Sequence, residues 1–232
     1  MLSVLIVQIF VVVACVAGIV LLIVYLRNEQ RKLSLHRAQM AAWAAANGWS
    51  YQPWSVPLAY AWPGEPFISE AGAQAIDVVS GAMPSGQPFW SFMYQYQVQE
   101  GRYQETVRIW ILALGLPEML PWLNVTPKGK GKDSKHDILL ESDEFNRAFH
   151  VAAASQAFAY AVLNPPVMAW LMEQGRSVVP FRFVGGNLVC WRYEEANYAI
   201  MVPVLELMSE LFGHIPSFVW HDYGAVMPPV AY

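Results

Sequence analysis

Side chains able to act as nucleophiles, bases or metal ligands are thinly spread along this chain. Its histidines are His36, His136, His150, His214 and His221, with no HxH or HxxxH pair, and its two cysteines, Cys15 and Cys190, are far apart. A zinc site draws on Cys and His at short repeating spacings, and none occurs here. The sequence has no GxSxG to raise a serine on a nucleophile elbow. It also lacks the GxxxxGK[ST] loop that cradles phosphates. Asp133 and Asp137 do not make an EF-hand loop, which alternates oxygen ligands around a central glycine. Cys190, between Val189 and Trp191, reads as a buried inert thiol, because reactive thiolates need an exposed electropositive setting. His221-Asp222 is an adjacent base and acid, but on a strand such neighbours face opposite ways. Asp77, flanked by apolar residues, is expected on the outer face of its strand. No catalytic residue, cofactor or metal is expected.

The remaining charged groups suit contact rather than catalysis. Lys128, Lys130, Lys132 and Lys135 fall in KGKGKDSKHD (128–137), whose composition is that of a solvated hairpin tip. They are candidates for touching anionic lipid or a partner. Arg27, Arg31, Lys32 and Arg37 form a second candidate set, against one acid, Glu29. Of 14 Lys+Arg and 18 Asp+Glu in all, this collar takes four and one, leaving ten bases and seventeen acids from residue 38 onward. The collar can meet anionic headgroups, whereas the acidic body is repelled by them and by nucleic acid, so no nucleic-acid partner is expected.

The collar follows the element that places everything else. Leu2 to Leu26 reads LSVLIVQIFVVVACVAGIVLLIVYL, without a charge or a proline. Roughly 20 apolar residues at about 1.5 Å each cross a hydrocarbon core as a helix. A cleaved secretory signal would carry a basic n-region and a shorter apolar run. Val12-Val13-Ala14-Cys15 looks like a lipobox but leaves an apolar stretch after the cleavage point. A buried core helix this long and uniform would be unusual. A retained span is the preferred reading, and basic residues only on its C-terminal side put the N-terminus outside and the rest in the cytoplasm, at the inner membrane.

Residues 27–47 continue as a helical stalk ended by Asn47-Gly48. The remaining roughly 200 residues suit one domain, 48–232, with no disulfide framework. A proline-rich connection with one short strand near Trp49–Gln52 leads into it. Ile76, Val78 and Ala82 then alternate, as do Trp90, Phe92, Tyr94, Tyr96 and Val98, and Val107, Ile109, Ile111 and Ala113. This period of two, broken by Met83-Pro84-Ser85-Gly86 and Glu100-Gly101-Arg102, predicts an antiparallel meander with one buried face and a glutamine-bearing solvated face. Leu116–Thr126 is too proline-interrupted for a central strand and is expected to end in an edge strand. A short strand is expected at Ile138–Leu140 and another around Val151. Ser142, Ser155 and Asn164-Pro165 are helix starts, with Gly175 ending the last of these. Val178–Val184 and Leu188–Tyr193 form a hairpin turned at Gly185-Gly186-Asn187. A final helix runs from Met201, with Val204, Leu205, Met208, Leu211 and Phe212 on its apolar face and Gly213 at its end. The aromatic tail is expected to pack onto the sheet.

Three segments carry a family likeness: Glu141-Ser142-Asp143-Glu144-Phe145-Asn146-Arg147-Ala148-Phe149 with Val151, Leu163-Asn164-Pro165 to Trp170-Leu171, and Pro180-Phe181-Arg182-Phe183. Together with Ala42 to Trp49 they resemble uncharacterised bacterial, especially actinobacterial, single-span membrane-anchored proteins with a cytoplasmic α+β domain. The resemblance implies that layout and no catalytic residues. The expected fold is therefore α+β: a transmembrane helix (1–26), a stalk (27–47), and an antiparallel sheet, meander plus C-terminal hairpin, packed by two or three helices. The expected role is a membrane-tethered protein-interaction or scaffolding module, with the bilayer met through residues 2–26 and a membrane or membrane-associated protein as partner. The oligomeric state is open. The competing role is an enzyme, or a small-ligand or lipid binder at the inner membrane surface, marked by a deep pocket with His214 or His221 beside a carboxylate.

Overall fold

The computed structural model describes residues 2–67, 72–101, 103–129 and 137–225, with backbone alone for residues 2–14, 100 and 176. It divides the chain into two units, Met1–Asn47 and Gly48–Tyr232. The first is one helix, α1 (Leu2–Ala46), unbroken through the predicted stalk. Asn47 closes it by donating its backbone N–H to Ala44 O at 3.0 Å and its side-chain amide to Trp43 O at 2.8 Å. Gly48 follows with φ +72, the left-handed conformation a glycine adopts without steric cost. Among the described residues no helix is long and apolar enough to cross a membrane. The side chains of residues 2–14, about half of the uncharged run, lie outside them.

The second unit is an α+β domain on one antiparallel eight-stranded sheet in the order β1-β2-β3-β4-β8-β7-β5-β6. The strands are β1 (Ser50–Ser55), β2 (Gln74–Ala82), β3 (Pro88–Glu100), β4 (Tyr103–Gly115), β5 (Leu123–Pro127), β6 (Phe149–Ala153), β7 (Phe181–Val184) and β8 (Asn187–Arg192). The helices are α2 (Val56–Ala59), α3 (Asp143–Ala148), α4 (Gln156–Val162), α5 (Pro165–Gln174), α6 (Met201–His214) and α7 (Ser217–Tyr223). That is more helices than the two or three expected, because several are too short to show a periodic stripe.

The β3–β4 ribbon is the frame. Phe92, Tyr94, Ile109, Ile111 and Ala113 lie on one face and pack with Val189 and Trp191 of β8. This face is covered by Ala59, Trp62, Phe67 and Ala73 from the proline-rich connection. Trp62 stacks on Phe92 at 6.2 Å, and Phe67 meets Tyr94 edge-on at 5.1 Å. The opposite face, expected to be solvated, is buried too: Phe89, Ser91, Met93, Trp110, Leu112 and Leu114 are all inaccessible or nearly so. The indole N–H of Trp110 donates to Ser91 Oγ at 3.0 Å, which satisfies the buried polar pair. Only the distal half of the ribbon follows the one-sided expectation, with Gln97 and Gln99 in solvent.

Two strand assignments change. β5 is interior, between β7 and β6, and the edge falls to β6. Pro117 and Pro121 precede β5 instead of interrupting it, and Pro127 closes its last pair, with Phe149. Ile138–Leu140 is not a strand, although Ile138 donates its N–H to Val151 O at 2.8 Å. The alternation in β2 also breaks. Between Ile76↔Met93 and Val79↔Ser91, Asp77 and Val78 stand opposite Phe92 alone, which is a β-bulge. Ile76 thereby leaves the buried row that Ala75 and Val78 occupy.

The caps stand where the sequence puts them. Ser142, Ser155 and Asn164 accept from the N–H groups of Phe145, Phe158 and Val167. Phe145 stacks on Phe149 at 4.6 Å. Gly185 and Gly186, at φ 57 and 74, make the two-residue β7–β8 turn that demands positive φ at both positions. α6 buries the predicted face but runs through Gly213 to His214, and Pro216 follows its cap, Ile215. The tail starts as helix α7, with Tyr223 against Phe158 and Trp220 against Phe212, while residues 226–232 lie outside the described chain.

Phe92→Ala, emptying a fully buried ring site, is expected to cost about 3–5 kcal/mol. Gln97→Ala on the solvated end should stay within about 0.5 kcal/mol. Urea denaturation followed by tryptophan fluorescence checks both.

Candidate functional site

The collar residues Arg27, Arg31, Lys32 and Arg37 are exposed on α1. At about 100° per residue they encircle the helix and do not share one face. Lys32 bonds Glu29 at 2.8 Å, and that hydrogen bond raises the ammonium pKa. Of the second set, Lys130, Lys132 and Lys135 lie outside the described residues, as do His136 and Asp133. Lys128 is described, and it is no open loop-tip cation. Its side chain is 13% exposed and lies 3.6 Å from Asp137 Oδ2, itself on a side chain only 11% exposed. The same oxygen meets His150 Nδ1 at 2.5 Å. Asp137 thus takes two basic partners at the root of the 128–137 segment.

This trio belongs to a polar strip that the sequence reading missed. Thr126 pairs with His150 across β5–β6, and Asn124 pairs with Arg182 across β5–β7, so these side chains share one face of the sheet. Arg182 reaches beneath the proline-rich connection and donates to Pro63 O at 3.0 Å. Burial lowers its guanidinium pKa, and Glu65 partly offsets that. Gly64 lies against the guanidinium, where a Cβ would collide. Among the described residues Asn124 Oδ1 and Arg182 Nε are buried without a hydrogen-bond partner. The only cue in sequence was Asn124 and Thr126 alternating with Leu123 and Val125.

A second polar group sits at the bulge. Asp77 has φ 50, unusual for a residue other than glycine, and accepts from Tyr51 Oη at 2.6 Å. It is half-buried and not on an open outer face as expected. Burial, with Asp77 and Glu195 adding to it, pushes the Tyr198 phenol well above its ordinary range. Arg108 pairs with Glu195 at 3.0 Å on the surface. This arrangement anchors a bulge; it offers a carboxylate already committed to a phenol. Among the described residues no three His, Cys, Asp or Glu side chains gather as a metal site. His214 lies tilted against the Trp170 ring, centroids 4.7 Å apart. His221 and Asp222 lie on α7, not on a strand, and both are exposed.

Two hollows differ in kind. A cavity of about 30 Å³ between α5, α6 and the β7–β8 hairpin is walled by apolar side chains including Leu171, Phe181, Cys190, Met208 and Leu211. Small-molecule sites run to about 300–1,000 Å³, so it cannot seat a lipid or metabolite. An open groove of about 390 Å³ lies between α5 and the start of α3, lined by Glu141, Glu144, Pro165, Met168, Ala169 and Met172. At the far edge of the sheet, Trp54 and Tyr60 are 60% and 48% exposed beside β1. The β6 edge, by contrast, is partly taken up by the Ile138 N–H.

No family model and no curated protein matches the sequence. In fold the chain is similar to the crystal structure of the mycobacterial trehalose monomycolate transport factor A, TtfA, with TM-score 0.54 and 14% identity. The match covers 76% of this chain and 94% of that one. At that identity the likeness defines an architecture, an antiparallel sheet with helices, and carries no residue roles.

Three results are expected. Asp137→Ala, which strips Lys128 and His150 of their shared acceptor, should cost about 1–3 kcal/mol by urea denaturation. Burial also pushes the Cys190 thiol pKa above its ordinary 9.0, and Tyr198 above 10.0. The folded state then keeps protons the unfolded chain has released, so this contribution is whole below about pH 9 and lost as pH rises. Stability should fall from pH 9 to 11, less steeply in Cys190→Ala and Tyr198→Phe, and native Cys190 should resist maleimide in a Cys15→Ser background.

Proposed function

We propose that this chain is a membrane-tethered interaction module of the cytoplasmic face, non-enzymatic, serving a membrane transport assembly. The observation that carries it is the uncharged run Leu2–Leu26 lying within one continuous helix, directly before a ring of four bases. Such a run satisfies its own backbone in lipid, and the bases favour the inner leaflet. The domain supports the reading with a filled interior, a cavity far below ligand size and exposed aromatic and acidic surface. The fold likeness is in keeping with a transport setting, since the similar mycobacterial protein is a trehalose monomycolate transport factor. That source also fits membership in an actinobacterial single-span family.

Fractionation of cells expressing the full chain tests the tether. The protein should stay with membranes through carbonate washing, and protease should reach its domain only after the inner membrane is opened. Val16→Arg with Ala17→Arg, near the middle of the run and each costing about 2.5–3.5 kcal/mol at a span centre, should move it to the soluble fraction. Domain digestion in intact spheroplasts would reverse the orientation. Cross-linking from membranes should capture a reproducible membrane-protein partner, and none across conditions would remove the interaction role.

A further inference from the structure

The open groove beside α5 has a composition that specifies its occupant. Pro165, Met168, Ala169 and Met172 recur at i, i+3, i+4 and i+7, so they form one stripe of α5. Val167 and Leu171, on the inner side, are buried in the domain, and Met168, at the floor of the groove, is buried with them at 4% exposed. The accessible part of the stripe that faces the groove is Pro165 and Ala169, both exposed, and half-buried Met172. The opposing wall carries Glu141 and Glu144, both exposed, while the Ser142 hydroxyl between them is engaged as the α3 cap. None of the lining is a strand edge, so an extended peptide would find no ladder to join. From Pro165 to Met172 the stripe runs about 10 Å, two turns of an opposing helix.

We infer that this groove receives a basic amphipathic helix, the juxtamembrane segment of a neighbouring membrane protein. Its apolar side chains would lie on Pro165, Ala169 and Met172, whose thioether adapts to varied partners. Its Lys or Arg would pair with Glu141 and Glu144, which set orientation and encounter rate. Charge complementarity selects this occupant. An anionic headgroup is repelled by the two carboxylates, whereas cytoplasmic flanks of membrane spans are rich in Lys and Arg. The inference rests on the tethered-module reading for the partner's location, not for the groove's chemistry.

The test uses the full chain in nanodiscs of zwitterionic lipid, with empty discs as the baseline. The probes are a fluorescent amphipathic Leu/Lys 14-residue helix and its Leu/Glu counterpart. Binding is read by anisotropy and by methyl NMR of Met168 and Met172. Saturable binding of the Leu/Lys helix is expected, with shifts at both methionine methyls and none with the Leu/Glu helix. Glu141→Lys with Glu144→Lys should weaken it at least tenfold, Glu141→Gln with Glu144→Gln less. Glu105→Lys with Glu206→Lys, the same charge change elsewhere, should leave it unaltered. Equal weakening by the control pair, binding of the Leu/Glu helix, or no binding above empty discs would each overturn the assignment. Failure of the tether would instead show as release from membranes, with peptide binding untouched.

Discussion

The structure depends on covering both faces of the β3–β4 ribbon. A ribbon whose inner half is apolar on both sides cannot leave either side to water, so the chain must supply two covers. One is the helical layer, with α5 and α6 over β7 and β8 and α6 reaching β4. The other is the connection between β1 and β2, which contributes Trp62 and Phe67. Large aromatic side chains do there what a helix would do, burying area with few residues. The four prolines of 53–66 limit the freedom the unfolded connection would otherwise lose on folding.

With both faces of the ribbon filled and the hairpin cavity only about 30 Å³, the contacts proposed for this domain fall on its described surface. Three surface features stand out: the exposed aromatics at the β1 edge, the clasp at the root of the lysine segment, and the acid-walled groove of α5. The clasp is a structural device. By holding Lys128 and His150 on one carboxylate oxygen it ties the segment after β5 to the β6 edge, which leaves β1 as the less protected edge.

Much of the fold was legible in the sequence because its signals are local. Capping serines, Asn164-Pro165, the Gly185-Gly186 turn and the apolar face of α6 each fix a conformation within a few residues. The helical reading of 27–47 was legible for the same reason. What the sequence hid depends on partners distant along the chain. Whether β5 is interior or edge is set by the return of β7, and the second buried face of β3 is set by helices far downstream. The bulge at Asp77 shifts register without a glycine to announce it. His221-Asp222 was read on the wrong element because the aromatic tail lacks a clear period. The polar strip joins Asp137, His150, Asn124 and Arg182 from separate strands and loops, so no linear motif marks it.

On the reading proposed for it, the domain works by contact at its surface and holds no lipid or metabolite inside. Native mass spectrometry of the full chain released from membranes in mild detergent tests this most directly. The bare polypeptide mass is expected, with lipid adducts only at the sub-stoichiometric level of an annular shell and lost in Val16→Arg with Ala17→Arg. A glycolipid or other small molecule retained one-to-one, and still retained by that variant, would contradict it.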